Sequence, residues 1–198
     1  MKKKEKEEFK NLLVQNRRKE KEKKETVNIR WVGTIVTIAF AISFGLSFIS
    51  QSTIPKLSLF FGIVLTLLFI LIGVIFDIIG VAVTSADEKV FHSMNSRKVK
   101  GADVAVKFKK NAEKVSSFCC DVIGDICGIV SGAAAATIAT ILTVKIHTDP
   151  LLTSLFIAAI TATLTIGGKA IGKSFAINKS DIILYEFAKL ISYFYKCK

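Results

Sequence analysis

The chain has 198 residues, 28 Lys/Arg against 16 Asp/Glu, a net charge of +12 and 51% hydrophobic residues. That length makes one domain the default. The charge would suit a nucleic-acid binder, but the basic residues flank long apolar blocks, and no aromatic platform, zinc-ligand spacing or recognition-helix pattern accompanies them. Membrane flanks explain the excess more simply.

Apolar blocks of about 20 residues are long enough to span a hydrocarbon core about 30 Å thick. Barrel strands would be shorter and would alternate in polarity. The expected fold is therefore all-α: a polytopic membrane protein with four transmembrane helices and juxtamembrane amphipathic helices. A charged tail over 1–30 precedes a membrane domain over 31–198.

The tail holds twelve Lys/Arg and six Glu, a mixture that suits a solvated helix able to rest on anionic lipid. It is too long for the n-region of a signal peptide, and no small-residue cleavage site follows the first apolar block. Span one is expected over 31–50, with Trp31 in the interfacial aromatic belt. Gln51 to Lys56 forms a polar turn broken by Pro55. Span two, 57–83, would be about 40 Å long as a helix and carries one charge, Asp77.

A basic connector, 84–117, follows. Ser85-Ala86-Asp87-Glu88 fits a capping box, so a helix should start there. Ala102 to Asn111 places Val104 and Phe108 four apart among lysines, the pattern of a short helix on the membrane surface. Asn111 and Ser116-Ser117 offer caps for span three, 118–144. A turn over 145–150 leads to span four, 151–168, which should end at Gly167-Gly168-Lys169. An interfacial helix is expected over 181–198.

The tail, the connector and the segment after residue 168 carry twelve, eight and six Lys/Arg; the two short turns carry one each, Lys56 and Lys145. The positive-inside rule then places both termini and the connector in the cytoplasm, in the cell membrane.

Span three concentrates the unusual features. It holds two carboxylates, Asp121 and Asp125, one helical turn apart. Cys120, Gly124, Gly128, Gly132 and Ala136 recur every four residues, a stripe that lets helix backbones pack closely in lipid. Cys119, Cys120 and Cys127 read as free thiols that pack, as does Cys197; there is no C-x-x-C pair. On this topology Asp77, Asp121, Asp125 and Lys169 all fall in the cytoplasmic third of the membrane. Ionisable groups at such depth face a protein interior or a water-filled cavity. Carboxylates beside hydroxyls, here Thr84, Ser85, Ser131 and Thr165, are what a hard cation such as Mg²⁺ needs. The same charges could equally neutralise one another and fix helix register.

Three patches resemble the transmembrane domain of the cyclin-M (CNNM) and CorB/CorC magnesium transporters. Phe76-Asp77-Ile78-Ile79-Gly80-Val81-Ala82-Val83-Thr84-Ser85 is similar to a first-helix motif reading roughly F-S-x-S-E-x-A-L-x-S. Asn111-Ala112-Glu113-Lys114, then Val122-Ile123-Gly124-Asp125, resembles an N-P-E-x entry and a G-N pair. Gly168-Lys169-Ala170-Ile171-Gly172-Lys173-Ser174-Phe175-Ala176-Ile177 resembles a G-E-x-x-P-K-x-x-A-L stretch, and Asp181 to Ile191 the belt helix that follows.

The resemblance covers about residues 70–195. It implies a homodimer and divalent-cation transport, with Asp77 and Asp125 at ligand positions. Lys169 stands where the family has Glu, Asp125 where it has Asn, and Gly172 where it has Pro. The paired nucleotide-sensing domains of the family have no counterpart here, and span one is an addition before its core.

Two functions follow as expectations. One is transport or binding of a divalent cation, most simply Mg²⁺, by Asp77, Asp121 and Asp125, with Lys169 as charge partner or plug. The other is a structural or partner-binding membrane protein in which the same charges form an internal ion-pair cluster. A soluble enzyme is not indicated, since His92 and His147 are isolated and no nucleophile-base pair or phosphate-cradling loop occurs.

Overall fold

The computed structural model describes residues 29–194. The charged tail, apart from Ile29 and Arg30, lies outside the described residues, as do Cys197 and the end of the 181–198 segment. The described residues divide after Ile38 into two units, the first holding only the opening of helix α1. No strand occurs among the described residues, and four helices are long and apolar enough to cross a membrane.

Helix α1 spans Ile29–Thr53 and passes into a single 3₁₀ turn, Ile54–Lys56, where Pro55 fits the first helical position. Helix α2, Leu59–Ser85, runs 27 residues, about 40 Å. It stops because Ala86 turns extended. Lys109 then covers its end, donating from Nζ to Val83 O at 3.2 Å and Thr84 O at 2.7 Å. A cation is favourable at that negative helix terminus.

The connector folds into three short helices: α3, Glu88–Ser96; α4, Ala102–Lys110; and α5, Ala112–Ser117. A helix does start after Ser85, but its cap is Asp87, whose carboxylate accepts from Lys89 N at 3.0 Å. Ser85 cannot serve because it still belongs to α2. Gly101 has φ +87°, and a Cβ there would lie 2.9 Å from Lys189 Cα. Glycine meets both demands.

Span three begins earlier than expected. The helix does not break at Ser116-Ser117, which cap nothing. It continues from α5 through a π-helical segment, Phe118–Gly124, into α6, Asp125–Ile146. Asn111 donates from its side chain to Lys107 O at 3.0 Å, and so does not cap α5 either.

Helix α7 spans Pro150–Asn178, its Asp149 cap accepting from Leu151 N at 3.0 Å. It runs ten residues past the expected end at 168. Gly167-Gly168 does not stop it, because Gly168 lies in close contact with Val74. There the missing side chain serves packing rather than a turn. Helix α8 covers Ser180–Phe194.

Helix α2 is the central element. Its buried face reads Gly62, Thr66, Ile70, Gly73, Asp77, Gly80 and Val83, steps of three and four that make one stripe. Helices α6 and α7 pack on it. The opposite face of α2 exposes Phe60, Phe61, Leu67, Leu68 and Leu71, which lipid solvates and water does not.

A second core lies at the connector end, where α3, α4 and α8 close over α2 through Phe91, Val104, Leu184 and Ala188, with Val83 and Ala86. The α4 segment is therefore not a free surface helix. Val104 is buried in this core, and Phe108 packs on Phe187 with ring centroids 5.7 Å apart.

Candidate charge-pair site

Two lysines one helical turn apart on α7 reach two different helices. Lys169 Nζ donates to Asp125 Oδ1 of α6 at 3.0 Å. Lys173 Nζ lies 3.6 Å from Asp77 Oδ2 of α2. The three spans are thus joined by acid–lysine pairs whose lysines share one face of α7.

Glycines make the reach short. A Cβ on Gly172 would lie 2.7 Å from Ile78 Cγ1 and one on Gly168 3.0 Å from Val74 Cγ2, so α7 and α2 meet nearly backbone to side chain. A Cβ on Gly73 would lie 3.0 Å from Cys127 Cβ and 3.3 Å from Gly124 O. This is the close approach that small residues permit in lipid.

The pairs differ in setting. The Asp77 side chain is only 4% exposed, whereas that of Asp125 is 63% exposed. Asp77 Oδ2 receives no hydrogen bond among the described residues, and the lysine facing it is itself half exposed.

The π segment shapes the wall around Asp77. Its wider turn carries Cys119, Cys120 and Asp121 and ends beside Gly124. Cys120 Sγ lies 3.6 Å from Asp77 O and 3.9 Å from Ser116 Oγ, and faces Gly80, which has no Cβ to obstruct it. Short π segments inside α-helices are frequent at functional sites.

Of the expected ligands, Asp77 and Asp125 are placed in the site but on separate lysines. Asp121 is exposed and forms no ion pair among the described residues. Among those residues no group of three or more His, Cys, Asp or Glu gathers as a metal site.

The hydroxyls turn back on their own helices. Thr84 donates to Val81 O, Ser131 to Gly128 O and Thr165 to Thr161 O. Ser85 is exposed at the end of α2. Gly124 sits in the tight contact with α2, while Gly128 and Gly132 line an open groove between α6 and α7 whose wall includes Asp125 and Lys169.

Sequence reasoning missed Lys173 as a partner. Its signal was present: it stands one turn after Lys169, but lay beyond the expected end of span four. The π segment had no comparable signal: Phe118–Gly124 is poor in strong helix formers, but weak propensity does not distinguish a π turn from an α turn.

Comparison with protein-family models, with curated proteins and with solved structures returned no match.

Proposed function

We propose that this chain is a non-transporting membrane protein, structural or partner-binding, built on a helical core related to the cyclin-M and CorB/CorC transporters. In it, lysines neutralise Asp77 and Asp125, which stand at positions that would hold the cation in that family. The observation that carries this reading is the 3.0 Å contact between Lys169 Nζ and Asp125 Oδ1. Lys169 brings its own positive charge to the position where Asp125 would offer a ligand oxygen. Both termini would then be cytoplasmic, and a homodimer would follow from the family relation.

Reconstitution into liposomes tests it. Wild type should give no Mg²⁺-dependent flux. Replacing Lys169→Glu together with Asp125→Asn restores the residues expected of the family, and flux gained in that variant would support a transporter ancestry. Flux in wild type that Lys169→Glu does not raise would overturn the reading.

A second reading, binding or transport of a divalent cation such as Mg²⁺, is favoured by Asp77. Its buried Oδ2 has no hydrogen bond and faces a lysine that is half exposed. A lysine that swings outward would leave the carboxylate ready for another cation. Loss of such flux in Asp77→Asn would distinguish this reading from the first.

A further inference from the structure

We propose that the connector end of the membrane domain holds an anionic phospholipid, with an acyl chain in an aromatic groove and the phosphate on Lys114. The groove measures about 490 Å³ and is lined by Phe76, Phe108, Phe118, Phe187 and Ile191, with Lys114 its only charged wall. Four helical segments contribute: α2, α4, the α5–π helix and α8.

The arrangement has the polarity of a lipid. Lys114 and Phe118 are four residues apart on one continuous helix, so they share a face about 6 Å apart along the axis. Lys114 stands nearer the connector, and Phe118 one turn deeper into the span. Phe76 lies nine residues before the end of α2, again inside the apolar zone. Head-group charge thus meets ammonium at the connector end, with Phe76 and Phe118 on the spans extending the groove inward and Phe108 and Phe187 closing its connector side.

Lys114 is available for this role. It is exposed, and no carboxylate lies within salt-bridge reach of it among the described residues. Apart from Lys114 and the Cys119 thiol the groove walls are apolar, so water held among the rings would lose hydrogen bonds that methylenes do not need. A long lysine side chain beside aromatic surface can extend its charge to the phosphate level while its stem lies on the rings.

The test uses the full chain in vesicles of phosphatidylcholine containing a trace of phosphatidylglycerol that carries a diazirine on its acyl chain. After photolysis, adducts are mapped by mass spectrometry. Adducts should concentrate on Phe118 and Phe187 and exceed those from a matched phosphatidylcholine probe by about fivefold, the effect expected of one lysine at an anionic head group.

Lys114→Gln should abolish that preference and Lys114→Arg should keep it. Lys110→Gln, an exposed lysine outside the groove, should leave it unchanged. Helicity measured by circular dichroism confirms that each variant is folded. The proposal is overturned by equal labelling from the two probes, by a preference that survives Lys114→Gln, or by Lys110→Gln lowering it as much as Lys114→Gln.

Discussion

The two acid–lysine pairs use the same chemistry and differ in where the carboxylate sits. Asp77 is buried on the central helix, and its lysine, 3.6 Å away, is half exposed. Asp125 is exposed to the α6–α7 groove, and its lysine, 3.0 Å away, is mostly covered. Removing one partner of a buried pair leaves an uncompensated charge, whereas an exposed carboxylate keeps other ways of being solvated. The buried pair should therefore govern stability. The exposed pair, beside an open groove, should govern what the site can bind.

The largest effect follows from breaking the buried pair at the lysine. Lys173→Met should cost about 3 kcal/mol, because Asp77 has no other partner at its Oδ2. Asp77→Asn should be far milder, since the freed Lys173 already reaches solvent or head groups. The double variant should recover most of the loss. Reversible unfolding in mixed micelles measures all three, and a double-mutant cycle isolates the coupling.

Steric contrast comes next. Gly73→Ala forces a methyl against Cys127 and the Gly124 carbonyl beneath the pairs and should cost about 1–3 kcal/mol, as overpacking does. Gly132→Ala meets nothing within 4 Å and should change stability by less than about 0.5 kcal/mol. Equal losses from the two would contradict the packing described for α6.

The smallest effect is expected at the exposed pair. Asp125→Asn should cost no more than about 1 kcal/mol, the range of solvent-facing ion pairs. A loss as large as that of Lys173→Met would show that the two pairs are energetically alike.

Much of this was legible in the sequence. Four apolar blocks separated by polar, basic segments gave the four long helices, because a bilayer imposes both length and composition. Depth alone placed Asp77, Asp121, Asp125 and Lys169 at one level, but did not choose which acid Lys169 meets. Helix faces were harder to read. The regular Cys120–Gly124–Gly128–Gly132 stripe supplies tight contacts only in its first half, at Cys120 and Gly124, while the stripe that seats neighbouring helices lies on α2, at Gly62, Gly73 and Gly80. Its steps of three and four are hidden among large residues in an almost wholly apolar helix. In such a helix hydropathy marks depth, not direction. Lys173 was missed for a related reason: Gly167-Gly168 reads as a terminator, yet these glycines sit in a helix that goes on.

The most direct test of lysine occupancy is thermal unfolding of the purified protein with millimolar Mg²⁺ against Na⁺ at equal ionic strength. A cation that binds the folded state raises its stability by mass action. Wild type should show no Mg²⁺-specific shift, and Lys169→Glu, which removes the ammonium and adds an acid beside Asp125, should show an upward one. A Mg²⁺-specific stabilisation of wild type, lost in Asp125→Asn, would contradict the claim that Lys169 takes the place of a cation.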